Sequence, residues 1–257
     1  YNVVDLPASA AGGVVEAVEM LLELPFGEFE RADLLRLLTH PNVAGQFPDV
    51  DVEDWIDWCD RLNIFRGADR QDLADTYVER DVFNWDQGIR RLFLGAFMGE
   101  GELDETRAIE LDGEAYYPEE ISPQRVESAA RFGVLARSLI NDVRYLRGAE
   151  FSLERWGEVL SEFVDTYIAE TDDTDANTLL RCRRRIRELS ERDLTGREVA
   201  YRAAYEFAAA AIGDLEVRRG QYLADGVVVS SFLPMRPIPF RHVFVVGMGE
   251  DTFPSSD

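Results

Sequence analysis

The side chains able to carry chemistry are few, and their types restrict it sharply. His40 and His242 are the only histidines, and Cys59 and Cys182 the only cysteines. With two histidines at that separation an H-E-x-x-H zinc site is impossible, and a histidine-based triad has almost no material. The cysteines make neither a metal-ligand spacing nor a disulfide framework and read as ordinary helix residues. Lysine is absent, so all 27 basic residues are arginine. A phosphate loop of the G-x-x-x-x-G-K-[ST] type therefore cannot exist within the chain, and a nuclease centre combining carboxylates with lysine is excluded too. Gly247-x-Gly249 is no dinucleotide fingerprint, because the third glycine and a following helix-plus-acid unit are missing. Glu102, Asp104 and Glu105 could meet a cation, but such an acidic run ordinarily marks a loop without fixed structure. No metal and no cofactor is expected.

Binding chemistry has more material. Arg181, Arg183, Arg184, Arg185 and Arg187 form the one basic cluster, while Leu179, Cys182, Ile186 and Leu189 share a helical face. Two readings stand. Arg181, Arg184 and Arg185 touch DNA phosphates, or the arginines form a solvated face paired with Glu188 and Glu191, which is the more ordinary arrangement. Trp55, Trp58, Trp85 and Trp156 could stack on bases, but all except Trp58 sit on apolar helical faces, which favours core packing.

The charge balance is lopsided, with 27 basic against 50 acidic residues and a net charge of −23. Such a surface disfavours broad non-specific DNA binding, which depends on neutralising phosphates. It fits either a salt-adapted cytoplasm or a segment that faces away from nucleic acid, and composition does not choose between them. With 257 residues, 46% of them apolar, the chain can build a substantial core. No apolar run approaches the ~18 residues of a membrane span, and the first residues lack a basic-then-apolar signal pattern. A soluble, cytoplasmic chain is expected.

The elements that would position these residues are mostly helices. Tyr1 to Asp5 reads as a short strand, followed by a turn from Pro7 to Gly13. Val14 to Leu24 is a helix with Val14, Val15, Val18, Leu21 and Leu22 on one face. Arg31 to Thr39 is a second helix, too leucine-dense for a surface stripe, which Pro41 stops. Asp51 caps a third, carrying Trp55, Ile56, Cys59 and Leu62. Residues 66–82 look like a loop, Asn84 to Met98 like a helix, and Gly99 to Glu120 like a mobile or partner-facing loop. Pro123 opens a helix of about six turns. Ser152 caps the next, and Asp172 to Asp175 is a polar break before the arginine-bearing helix. Thr195-x-x-Glu198 reads as a capping box for a helix running to about Ile212. From Gly226 the character changes. Val227 to Phe232 and Arg241 to Val246 read as two buried strands of a parallel α/β sheet, joined by the proline-rich turn Leu233 to Pro239. The chain stops before a sheet is complete, so it reads as a segment of a longer protein.

That terminal stretch, from Gly226 to Pro254, is similar to the strand–turn–strand around the fifth conserved motif of UvrD-like superfamily 1 helicases. There the turn typically reads T-x-H-x-x-K-G-L-E-F, before an apolar strand and a G-x-x-[DE]-x-x-F-P ending. Here Ser231 stands in place of the threonine, Leu233 of the histidine, Arg236 of the lysine, Pro237 of the glycine and Pro239 of the glutamate, and Phe240 closes the turn. The form L-P-M-R-x-I-P-F, with V-x-x-x-G-M after it, resembles the RecC family, the gamma subunits of exodeoxyribonuclease V. Leu34-Leu-Arg-Leu-Leu-Thr-His-Pro, the Trp55 helix ending near Asn63-Ile64, and Asn84-Trp85-Asp-Gln-Gly-Ile-Arg-Arg-Leu-Phe-Leu-Gly-Ala resemble its helical region in the same order.

The resemblance implies a mainly α chain, a helical 2B-like insertion in a truncated, inactivated 2A-like α/β helicase domain. Residues 1–13 and 225–257 would belong to the α/β part, and residues 14–224 to the insertion. It also implies a place in the RecBCD complex beside RecB-like and RecD-like subunits, with DNA met in that setting and no chemistry of its own. Prolines at 237 and 239, with fixed φ and no N–H, cannot supply the backbone donors or the movement of a working motif. Two alternatives are a fragment of an active UvrD-like or AddB-like ATP-dependent helicase–nuclease, and a protein-binding module working through residues 99–120.

Overall fold

The structure is a computed structural model and describes residues 2–7, 13–47, 51–74, 76, 80–98, 108–111, 113–213, 215–219, 228–229 and 242–244. It is mainly helical and divides into two compact units, one drawn from both ends of the chain (Tyr1–Leu6 and Glu216–Asp257) and one running from Pro7 to Leu215.

In the unit built from the chain ends, three strands lie side by side. Strand β1 (Asn2–Pro7) is central, flanked by Glu216–Arg219 and Val228–Val229. It pairs in parallel with Val228–Val229, in the register Asn2 to Val228 and Val3 to Val229. The strand at Glu216–Arg219 pairs on β1 just after the preceding helix ends at Gly213, close to the Ile212 expected from the sequence. Of the second buried strand expected at 241–246, His242, Val243 and Phe244 are described. They carry no strand assignment, and Val243 and Phe244 are 64% and 90% exposed.

The helical unit opens on Gly13, whose φ of 73° suits glycine. Helix α1 (Val14–Glu23) buries Val14, Val15, Val18, Leu21 and Leu22, the face expected from spacing. A single 3-10 turn at Leu24–Phe26, with Pro25 in it, ends the helix. Helix α2 (Arg31–Leu38) buries Leu34, Leu37 and Leu38. Pro41 does more than stop it: proline also opens a short helix α3 (Pro41–Ala44), for which its fixed φ is preorganised. In α4 (Val52–Arg61) Asp51 caps as expected, its Oδ1 accepting from the Glu53 amide at 2.9 Å. The buried face is Trp55, Trp58 and Cys59, whereas Ile56 is 44% exposed. Positions 55, 58, 59 and 62 form one helical stripe, and 56 lies about 100° away from 55.

Residues 66–82 are not wholly irregular, since Arg70–Leu73 make a 3-10 turn that buries Leu73 and is capped by Asp69. Helix α5 (Trp85–Met98) then packs on the long α6 (Val126–Gly148), itself entered through a 3-10 turn at Pro123–Arg125. Between them β2 (Ile109–Leu111) and β3 (Glu114–Tyr116) form an antiparallel hairpin, where the sequence reading had placed a loop. Strands of three residues are too short to display a period. The core of this half gathers around Phe132 of α6, with ring centroids of Trp55, Trp58 and Trp85 at 5.3, 6.0 and 6.4 Å. All four tryptophans are buried, Trp58 included, so core packing rather than base stacking accounts for them.

The second half stacks α7 (Leu153–Tyr167), α8 (Asp173–Arg187) and α9 (Tyr201–Gly213). Ser152 caps α7, and Asp172 caps α8 by accepting from the Asp175 amide at 2.8 Å. The polar run at 172–175 is therefore a helix start as well as a break. The capping box expected at Thr195 does not form. Thr195 Oγ1 accepts instead from Arg197 N, and β5 (Val199–Ala200) pairs antiparallel with β4 (Glu150–Phe151) before α9 begins. Trp156 Nε1 donates to the Val199 carbonyl at 2.8 Å and helps keep that segment extended. No helix among the described residues is long and apolar enough to cross a membrane.

Candidate functional site

The arginine-bearing face of α8 is the sequence-read site that the described residues contain. Its helix exists because Leu179, Cys182 and Ile186 repeat at helical spacing and are all fully buried, with Leu189 completing the stripe just beyond. That leaves Arg181, Arg184 and Arg185 exposed and Arg183 half-buried. Arg184 Nε and Arg185 NH1 converge on the two oxygens of Glu188, at 3.2 and 3.0 Å. These hydrogen bonds, that from Arg185 foremost, hold the Glu188 carboxyl below its ordinary range. Arg183 ion-pairs with Asp165 and, at 3.8 Å, with Glu170, while Arg187 Nε donates to Ser161 Oγ at 3.1 Å. Arg181 has no hydrogen bond or ion pair among the described residues. A shallow groove of about 430 Å³ runs beside this face, between Asp165, Leu180, Arg183, Arg184, Arg187 and Glu188. The structure thus brings the three candidate residues onto one surface but gives two of them a carboxylate. The positions of the degenerate motif, Ser231, Leu233, Arg236, Pro237, Pro239 and Phe240, lie outside the described residues.

The groups with nucleophilic or ligating potential serve packing. Burial pushes the Cys59 thiol up to about 12 and the Cys182 thiol up to about 11, so both stay protonated and unreactive at neutral pH. His40 caps α3, its Nδ1 accepting from the Asn42 amide at 3.2 Å. Among the described residues no group of three or more His, Cys, Asp or Glu is arranged to hold a metal ion.

What the sequence reading missed is how many arginines work inside the fold. Arg144 of α6 reaches Asp69 at 2.6 Å and Asp72 at 2.9 Å, clamping the 3-10 turn at 70–73 to the long helix. One turn later Arg147 donates to the carbonyls of Pro25 and Gly27, with its guanidinium 4.6 Å from the centre of the Phe29 ring. Glu119 is buried between Arg61, at 2.6 Å, and Arg91, at 3.5 Å; burial raises its pKa although both arginines pull it down. Arg91 also donates to the carbonyls of Tyr117 and Leu62. Asp86 joins Arg90 of α5 to Arg137 of α6. The Asp69-x-x-Asp72 spacing and the seven-residue interval from Arg137 to Arg144 were the available signals. Neither names its partner, which lies more than fifty residues away.

Fold and site together define a helical module clamped internally by arginine–carboxylate pairs and carrying one arginine-rich face. Residues 11–212 match the family described as RecBCD enzyme subunit RecC, fourth domain, and the chain belongs to that family. It is 26% identical over 246 residues to the RecBCD enzyme subunit RecC of Mycolicibacterium smegmatis (strain ATCC 700084 / mc(2)155), covering 91% of this chain and 21% of that protein. Against the RecBCD enzyme subunit RecC of Escherichia coli (strain K12) the identity is 24% over 263 residues, covering 99% of this chain and 22% of the relative. The resemblance to the RecC family read from the sequence is thereby borne out. The chain spans about a fifth of the length of the curated relatives it matches.

Proposed function

We propose that this chain is a non-catalytic, architectural segment of a RecC-like subunit, working in a RecBCD-type helicase–nuclease beside RecB-like and RecD-like partners. The observation that carries the reading is the match of residues 11–212 to the RecC fourth domain. In this reading the helical unit is a 2B-like insertion, and the strands at either end of the chain are remnants of a 2A-like helicase domain. The parallel pairing of β1 with Val228–Val229, across more than two hundred intervening residues, supports that arrangement, since an insertion between neighbouring parallel strands leaves such a pairing. The absence of lysine from the sequence and the prolines at 237 and 239 argue against ATP chemistry at the motif. Reactions and strand movement then belong to the partners, and this segment holds geometry and guides DNA in the cytoplasmic complex.

Reconstitution tests the assembly. The whole subunit containing this chain should co-elute with its RecB-like and RecD-like partners, and processive ATP-dependent degradation of duplex ends should depend on it. Equal degradation by the partners without the subunit would sink the reading.

A further inference from the structure

Asn42 is 2% exposed, and its backbone N–H and C=O and its side-chain nitrogen are all hydrogen-bonded. Its amide donates to His40 Nδ1 at 3.2 Å, and its carbonyl accepts from the Ala169 amide. Its side-chain nitrogen donates both to the Ala169 carbonyl, at 3.0 Å, and to Asp175 Oδ2, at 2.7 Å. Nearby, Gln46 Nε2 donates to the Tyr167 carbonyl at 2.9 Å, and Thr171 shares the same Asp175 oxygen. This cluster fastens α3 to the connection between α7 and α8, a junction spanning 127 residues of sequence between Asn42 and Ala169. Every bond in it except one joins amide, carbonyl, hydroxyl or carboxylate groups, types whose ordinary pKa values lie away from neutrality.

The exception is His40. A neutral imidazole with its proton on Nε2 offers Nδ1 as an acceptor; an imidazolium carries protons on both nitrogens and offers none. The charged groups acting on it come from each neighbouring element: Glu16 of α1, Arg36 of α2 and Asp175 of α8. We propose that His40, Asn42 and Asp175 form an acid-sensitive latch, in which a proton taken up at His40 Nδ1 releases α3 from the α7–α8 junction. Protonation removes the acceptor of a buried amide and turns a donor toward it. It also sets a cation that attracts the Asp175 carboxylate, which Asn42 and Thr171 share. Burial holds the His40 pKa below the ordinary histidine value, although Glu16 and Asp175 pull it upward. The sign follows. The latch contributes fully above about pH 6.5 and weakens as pH falls below that value, until the folded form protonates as well.

Amide exchange on the full chain at pH 7.5 and pH 5.5 reads this directly, comparing the unaltered protein with His40→Asn, which keeps a side-chain acceptor at the cap but cannot titrate. The unaltered chain is expected to lose about tenfold in Ala169 amide protection relative to His40→Asn at pH 5.5, and to match it at pH 7.5. Asp175→Asn, which retains an acceptor oxygen, should move the opening to lower pH. Equal loss of protection in the unaltered chain and His40→Asn would overturn the latch. Should His40→Asn not fold, an NMR titration of the unaltered chain decides alone: His40 and the Ala169 amide must titrate with one midpoint, and a His40 titration that leaves Ala169 unmoved overturns it.

Discussion

Arg144 illustrates how single side chains do the architectural work in this chain. Its guanidinium bridges Asp69 and Asp72 while lying over the Phe29 ring, and its hydrogen bond is the main reason the Asp69 carboxyl sits below its ordinary range. Arg144→Ala should lower stability by about 1.5–3 kcal/mol in urea unfolding at pH 7, because charge-assisted bonds are lost and two carboxylates are left facing each other. The depressed Asp69 pKa gives the pH sense: its stabilisation is complete above about pH 4 and disappears as pH falls through the folded value. Asp69→Asn should therefore resemble Arg144→Ala at pH 7 and flatten the acid limb of the stability profile; an unchanged acid limb would contradict the clamp. On α8 the balance differs. Arg184 and Arg185 already share Glu188, and the pairs are exposed, where solvent screening leaves ion pairs weak. Such weak pairing is compatible with the proposed guiding of DNA through these arginines. Replacing Arg181, Arg184 and Arg185 by alanine should leave the fold intact and lower the low-salt DNA affinity of the assembled complex. Unchanged affinity would remove the DNA contact and leave the family unaffected.

At the scale of elements, close approach rather than surface area distinguishes the helix junctions. A Cβ on Gly95 of α5 would lie 1.5 Å from the Glu119 carbonyl oxygen, so the segment carrying buried Glu119 can cross α5 only at a glycine. Gly95→Ala should destabilise by about 3 kcal/mol or more, whereas Gly148→Ala at the open end of α6, with nothing within 4 Å, should be neutral or stabilising by about 0.5 kcal/mol. A similar small effect at both positions, measured by denaturant midpoint, would refute the close crossing. The same contrast explains what the sequence made legible. Val14, Val18, Leu21 and Leu22, or Leu179, Cys182 and Ile186, announce their helices because one buried stripe repeats within each segment. The arginines of α8 were legible as a surface for the same reason, as the residue types left over from that stripe. The hairpin at 109–116 and the strand pair joining Phe151 to Val199 stayed hidden, since two- and three-residue strands have no period and their partners are set by packing. Thr195 shows the opposite failure: a local capping signal gave way to a tertiary contact, the Trp156 bond to Val199. Arg144, Arg147 and Arg91 could not be read at all, because their partners come from distant segments.

At the scale of the whole molecule, a net charge of −23 on an arginine-only set of cations marks a surface unsuited to gripping DNA along its length. Among the described residues, many arginines bond to carboxylates and carbonyls within the helical unit, which fits the proposed architectural role. Membership of the RecC fourth-domain family gives that surface its setting, and the pairing of strands from both chain ends supports the proposed insertion. The proposed role predicts that the subunit carrying this chain contributes structure and no ATP chemistry. The most direct test is ATP turnover by the full-length subunit, purified without its partners, in the presence and absence of single-stranded DNA. No turnover above background in either condition is the expected result; hydrolysis stimulated by single-stranded DNA would contradict the account.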